Sequence, residues 1–186
     1  MSAAIVVFLL LLAGVGGLAL LISRRPPAFS VSRSATIGAP PDIVFGNIND
    51  LHKWDSWSPW AKLDPHATNS FAGPAAGVGA SMAWSGNNQV GVGRMTITQS
   101  RPAEFIGIRL EFEKPMKAVN AAEFKLLPKD GEETFVSWTM SGANNFIGKA
   151  FDFFVGCDKV VGGQFEQGLA SLKSVSEAAS RAGRTP

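Results

Sequence analysis

Cys157-Asp158-Lys159-Val160-Val161-Gly162-Gly163-Gln164-Phe165-Glu166-Gln167-Gly168-Leu169-Ala170-Ser171-Leu172 is the stretch whose reading decides the fold. Advancing about 100° per residue, Val161, Phe165, Leu169 and Leu172 fall within one arc. The same arc extends upstream through Phe154 and Ile147, with Ala150, Cys157 and Val175 beside it. Lys149, Asp152, Lys159 and Gln167 fall on the other side. The periodicity predicts a helix from about Asn145 to Ala179, roughly 50 Å long at the standard rise. Such a helix has one apolar face that must be covered.

The cover lies upstream. Phe29, Val31, Arg33, Ala35 and Ile37 alternate with Ser30, Ser32, Ser34 and Thr36, a period of two that predicts a strand. Prolines 40 and 41 and Asp42 then open a short helix through about Leu51. Another helical turn or two follows where Trp54, Trp57 and Trp60 recur every third residue, kept short by Pro59 and Pro65. Further alternation predicts strands near Asn69–Phe71, Ala80–Ser85, Val90–Ser100, Phe105–Glu113, Val119–Pro128 and Thr134–Ser141. Gly86-Asn87-Asn88, Arg101-Pro102-Ala103 and Lys129-Asp130-Gly131 are short turn-rich joints of the kind that link antiparallel neighbours. Ile106, Ile108, Leu110 and Phe112 share one face, as do Thr134, Val136, Trp138 and Met140. The expected architecture is one α+β domain, an antiparallel sheet wrapped around a C-terminal helix.

Ahead of this domain, Ala3 to Ile22 contains no charged or polar side chain. As a helix it spans roughly 30 Å, the thickness of a bilayer's hydrocarbon core. Ser23-Arg24-Arg25-Pro26-Pro27 ends it, and the two arginines on the C-terminal flank place the following domain in the cytoplasm by the positive-inside rule. The expected division is a transmembrane anchor with its basic stop at 1–25, a linker at 26–28, the folded domain at 29–180 and a tail at 181–186. The localisation that follows is the inner or plasma membrane, crossed once. A cleaved signal peptide is the competing reading, but the basic start and small-x-small site it requires are not obvious. Ala13 and Gly17 form a small-xxx-small pair able to dock another helix.

Charge and composition exclude several functions. Charged residues are 17 % of the chain and hydrophobic ones 46 %, unlike a disordered polyelectrolyte. All 17 Lys and Arg lie at or after Arg24, so beyond Arg25 there are 15 against 15 acidic residues. With no basic surplus, nucleic acid is not an expected partner. The single cysteine, Cys157, excludes an internal disulfide and a multi-cysteine metal site. His52 and His66 are not at ligand spacing, and surface or capping roles are expected for them. No metal or cofactor is expected. Gly77-x-Gly79 and Gly91-x-Gly93 lack the full phosphate-loop spacing and read as bends in the sheet.

Ile48-Asn49-Asp50-Leu51-His52-Lys53-Trp54, Trp57-Ser58-Pro59-Trp60, Gly73-Pro74 with Gly77-Val78-Gly79-Ala80, Trp84-Ser85-Gly86-Asn87, Val90-Gly91-Val92-Gly93-Arg94-Met95 and Phe165-Glu166-Gln167-Gly168-Leu169 resemble, in order and spacing, the SRPBCC superfamily. This superfamily is also called START-like or Bet v 1-like, and the resemblance is to its polyketide cyclase/dehydrase-type branch. It runs from about Phe29 to Ala178. It implies a helix-grip fold: a curved seven-stranded antiparallel sheet around a long C-terminal helix, with a hydrophobic cavity between them. Members bind lipids, sterols, polyketides or other apolar molecules, and some are enzymes. No catalytic motif transfers from this branch, and fold does not by itself fix chemistry.

The cavity so implied draws its expected ligand contacts from Trp84, Ile108, Leu110, Phe124, Trp138 and Met140 on the sheet, and from Phe154, Asp158, Val161 and Phe165 on the helix. Trp54, Trp57 and Trp60 read as core packing in preference to a cavity lid or membrane contact. Trp84 and Trp138 read equally as core or as cavity residues offering an N–H to a ligand oxygen. Asp158 falls inside the apolar arc, where a charge needs a partner. It is either a polar anchor or proton carrier in the cavity, and then the candidate catalytic residue, or the partner of Arg94, Arg109 or a tryptophan N–H. Gly168 reads as a close-packing position and Gly162-Gly163 as a candidate hinge, whereas Cys157 reads as a buried, inert thiol.

The expected function is a membrane-anchored binding protein for an apolar small molecule or lipid, attached through residues 3–22. The alternatives are a polyketide cyclase/dehydratase-like enzyme, which needs two titratable groups converging in the cavity, and a non-binding adaptor whose own side chains fill the cavity and which acts through a protein partner.

Overall fold

The computed structural model describes residues 3–130 and 132–183. Gly131 of the expected third turn and positions 184–186 of the expected tail lie outside the described residues. The elements run α1 (Ala3–Ser23), β1 (Ala28–Ile37), α2 (Pro41–Asn49), two 3-10 turns (Leu51–Ser56 and Pro59–Lys62), then β2 (Thr68–Ala72), β3 (Ser81–Ser85), β4 (Val92–Arg101), β5 (Phe105–Lys114), β6 (Ala118–Lys129), β7 (Glu133–Ala143), α3 (Phe146–Phe154) and α4 (Cys157–Ala182).

The seven strands form one sheet in the order β1-β7-β6-β5-β4-β3-β2, every neighbour antiparallel. Strands β2 to β7 meander through short joints, and β1 pairs with β7 along its whole length, Ala28 opposite Ala143 and Ile37 opposite Thr134. The connection between β1 and β2, which holds α2 and the 3-10 turns, must therefore travel from one edge of the sheet to the other. It passes over the face that α4 covers: α4 packs on β1, α2 and the second turn.

Tryptophan fixes this crossing. The last turn of a helix leaves carbonyls without intrahelical partners. Trp54 Nε1 donates to Ile48 O at 2.8 Å and Trp57 Nε1 to Asn47 O at 3.0 Å, so two indoles satisfy the end of α2 while their rings enter the core. Both rings are buried, as the core reading of the tryptophan series expects, whereas Trp60, the third of the series, is half-buried.

The grip comes from Phe165, Leu169 and Leu172 of α4, all buried against the sheet. Burial of such a side chain contributes about 1.5–3 kcal/mol. Each helical glycine costs at most about 1 kcal/mol relative to alanine, so the burial prevails over Gly162, Gly163 and Gly168. Gly168 is a contact position: a Cβ there would lie 2.7 Å from the Trp138 ring and 3.0 Å from Pro59.

The terminal helix is not continuous from Asn145. It breaks at Val155-Gly156, where Gly156 adopts φ 83°, and α4 starts afresh at Cys157, running on to Ala182. The break is hydrogen-bonded on both sides. Asn145 caps α3 by accepting from the Gly148 amide, and Asp152 Oδ1 accepts from the Cys157 amide at 3.0 Å, reaching across the gap to the first turn of α4. The helical phase restarts there, so Ile147 and Phe154 leave the gripped face and lie exposed. The expected Gly162-Gly163 hinge is uninterrupted helix.

At the other end of the chain, α1 is long and apolar enough to cross a membrane, and its side chains are exposed apart from a half-buried Ala19 and a buried Ile22.

Candidate functional site: an apolar cavity under the terminal helix

Between the sheet and α4 lies a cavity of about 120 Å³. Its sheet wall is Met82 and Trp84 of β3, Met95 of β4, Leu110 and Phe112 of β5, Ala122 of β6, and Trp138 and Met140 of β7. Phe165 of α4 faces them, and the 3-10 segment contributes Trp54, Ser58, Trp60 and Ala61. Ala67, Val90, Asp55 and Asn69 complete the lining; the last two are exposed and mark the mouth. Asn69 Nδ2 donates to Asp55 Oδ1 at 3.1 Å across it. An apolar cavity of roughly 150 Å³ is enough to stay dry and admit benzene, so this space suits about one ring.

Of the residues expected at the site, Trp84, Leu110, Trp138, Met140 and Phe165 are brought together around the cavity. Ile108 and Phe124 are buried in the core outside its lining, and Val161 packs at the core margin. Phe154 lies exposed on α3, because the break at Gly156 resets the helical phase. The sequence pattern does not single out Met82, Met95, Phe112 or Ala122, and Trp54 and Trp60, which it reads as core, also line the cavity. Phe112 was accessible to the period-two argument, since it shares its face with Leu110. Met82 and Met95 are brought opposite one another by the β3/β4 register, which alternation within either strand does not specify.

Asp158 is outside the cavity. Arg33 NH1 and NH2 donate to its two carboxylate oxygens, each at 2.9 Å, while Arg33 Nε donates to Glu166 Oε1 at 2.7 Å. Arg33 is the partner because its position in β1 places it on the face toward α4, whereas Arg94 and Arg109 are exposed and Arg109 instead pairs with Glu111. The Arg33 hydrogen bond holds the Asp158 carboxyl below its ordinary value, and both acids raise the guanidinium above its own. Cys157 is half-buried; burial, then the negative charges of Asp152 and Asp158, push its thiol up.

Trp138 is the central ring of the wall. It stacks on Phe165 at 4.0 Å and 8° and on Phe124 at 4.8 Å and 27°. Trp84 Nε1 donates to Val90 O at 3.2 Å, but Trp138 Nε1 is buried with no acceptor. Leaving a buried donor unsatisfied costs about 1–3 kcal/mol. Among the described residues of the lining, Asp55 at the mouth is the single titratable group, so no acid/base pair converges on the space. His52 stacks on Phe71 at 4.1 Å with its Nδ1 3.0 Å from Asp50, and the described residues hold no cluster of three potential metal ligands.

An antiparallel sheet closed on a terminal helix, with an apolar space between them, defines a helix-grip protein. Residues 28–177 match the family model described as polyketide cyclase / dehydrase and lipid transport, and the chain belongs to that family within the SRPBCC superfamily. No curated protein sequence matches it. Among solved structures it is similar to the Zhui aromatase/cyclase of a Streptomyces species, with TM-score 0.60 and 16 % identity over 86 % of this chain and 99 % of that one. It is also similar to Ara h 8.0201, with TM-score 0.55 and 13 % identity over 81 % and 99 % of the two chains. A third likeness is to the Aha1 dimer of Colwellia psychrerythraea, with TM-score 0.54 and 18 % identity over 78 % and 96 %. At these identities the likenesses establish the fold.

Proposed function

We propose that this protein is a membrane-tethered binding protein for a small apolar molecule that carries an acceptor oxygen. The observation that supports this most directly is a cavity whose lining is almost entirely apolar and includes Trp138, an indole whose buried Nε1 has no acceptor. Apolar burial supplies the affinity at about 25 cal/mol per Å², and a polar group such as the Trp138 N–H sets orientation. The cyclase-like reading lacks the second titratable group it needs in the lining, and the adaptor reading lacks a filled cavity. The tether in this proposal is α1, with 29–180 as the binding domain facing the cytoplasm on the strength of Arg24 and Arg25. Its end is bonded into the domain: Ile22 is buried and Ser23 O accepts from Lys149 Nζ at 2.9 Å. A segment destined for removal gains nothing from such contacts.

The test compares acetophenone with its hydrocarbon counterpart α-methylstyrene on detergent-solubilised full-length protein, with binding followed by ligand-observed NMR. Trp138→Phe is expected to weaken acetophenone about tenfold, the equivalent of one hydrogen bond, and to spare α-methylstyrene. Absence of binding by either compound to the wild type sinks the proposal; equal losses for both compounds remove the donor from it.

A further inference from the structure

Helix α3 carries its apolar side chains outward. Phe146, Ala150, Phe154, Ile147 and Phe151 fall within an arc of about 140°, and all but the half-buried Ala150 are exposed, Phe154 by 66 %. Val155 and Val160 continue the exposed patch across the break. On the opposite face, Lys149 donates to Ser23 O at 2.9 Å and Asp152 Oδ2 lies 3.6 Å from Arg25 NH1. The Arg25 guanidinium also sits 5.5 Å above the Phe153 ring. The polar side of α3 is thus fastened to Ser23, the last residue of α1, and to Arg25 just beyond it.

That attachment identifies what covers the patch. If α1 crosses a bilayer, Ser23, Arg24 and Arg25 mark the level where hydrocarbon gives way to headgroups. A helix held against them sits at the same level, and one with an aromatic face and a charged face is stable there lying in the plane of the interface. We propose that α3 is a second membrane contact, its Phe146-Ile147-Phe151-Phe154 face entering the boundary between headgroups and acyl chains of the bilayer that α1 spans. This rests on α1 being a membrane anchor. Two attachments fix the domain's orientation on the bilayer where one helix with a short linker would leave it free to swing. Because α3 leads through Gly156 directly into α4, that orientation is also imposed on the helix that roofs the cavity.

The experiment uses the full chain carrying Cys157→Ser, with a single bimane-labelled cysteine at Phe154→Cys, Ile147→Cys, Leu12→Cys or Leu127→Cys. Each is reconstituted in phosphatidylcholine/phosphatidylglycerol vesicles containing lipids with a nitroxide either high or midway along the acyl chain. Leu127 is an exposed apolar residue near the far end of β6, roughly 30 Å along the strand from the end beside α3, and serves as the reference. The expected result is severalfold stronger quenching at 154 and 147 than at 127 by the shallow nitroxide, and quenching at 12 by the deep one. Quenching at 12 with 154 and 147 no different from 127 overturns this inference and leaves the anchor standing. No quenching at 12 overturns the anchor, and the inference with it. Shielding of 154 from aqueous iodide that rises with protein density and brings no lipid quenching assigns the patch to a second copy, and also overturns it. All four positions are exposed, and circular dichroism of each labelled chain verifies the fold.

Discussion

The Arg33 guanidinium lies across Gly162, between the two carboxylates that it pairs with, Asp158 and Glu166. Asp158, Gly162 and Glu166 are spaced four residues apart and form one stripe of α4. A Cβ at Gly162 would collide with the guanidinium. The central glycine is what allows one arginine of β1 to reach both acids, tying the edge strand to the start of the gripped helix.

This pairing makes stability depend on acid pH in a definite direction. Arg33 holds the Asp158 carboxyl below its ordinary value, and the Gly38 amide, with help from Lys173, does the same for Glu177. A carboxylate depressed in the folded state contributes stability above its unfolded value and loses it as pH falls through its folded value. Denaturant midpoints are expected to be level near neutrality and to fall below about pH 4. Asp158→Asn with Glu177→Gln should lower the neutral midpoint and flatten that fall. An unchanged acid limb in the double variant contradicts the assignment.

The glycines of α4 should respond in opposite directions to the same change. A methyl group at Gly163 would meet no other atom within 4 Å, so Gly163→Ala should stabilise the protein by up to about 1 kcal/mol from helix propensity alone. Gly168→Ala forces a methyl against the Trp138 ring and Pro59 and should destabilise by about 1–3 kcal/mol. Urea unfolding of the pair measures both, and the same sign for both refutes the contrast.

Much of this architecture is legible in the chain because a two-residue burial period is kept in β6 and β7. The Phe105–Lys114 and Glu133–Ala143 strands lie close to where alternation places them, and the α4 arc of Phe165, Leu169 and Leu172 is the buried one. Two features escape. A glycine within an apolar helical pattern does not announce whether it will be helical, like Gly162, or adopt a positive φ, like Gly156; the cap that Asp152 supplies decides it. The partner of Asp158 escapes because β1 joins the sheet beside β7, a pairing more than a hundred residues long-range. Alternation already set Arg33 on the same face as Val31 and Ile37, but choosing it over Arg94 and Arg109 required that register. The cavity itself is legible only as five of its walls, since its depth depends on how far Trp54 and Trp60 intrude from the turns.

Cys157 should be a slow thiol. Burial and two neighbouring carboxylates raise its ionisation above the ordinary value, so little thiolate forms near neutral pH. Alkylation by iodoacetamide at pH 8 should be markedly slower in the folded protein than in urea, and Asp158→Asn should accelerate the folded rate. A folded rate equal to the unfolded one would place the thiol in open solvent.

The cavity can be enlarged from its roof. Phe165 is 1 % exposed and stacks on Trp138, so Phe165→Ala removes a ring that touches both the core and the cavity lining. The expected cost is about 3–5 kcal/mol, part of it from the space left behind. That part is recoverable by a guest. A ligand bound only to the folded state stabilises it in proportion to the logarithm of its concentration over Kd, so naphthalene should raise the Tm of Phe165→Ala by more than it raises that of the wild type, whose cavity is about 120 Å³. Trp138→Phe placed in the same background should retain the naphthalene effect, because a hydrocarbon has no use for the indole N–H. A Tm unaffected by naphthalene in Phe165→Ala would mean that the walls collapse into the vacated volume, and that the sheet and α4 do not hold the cavity open by themselves.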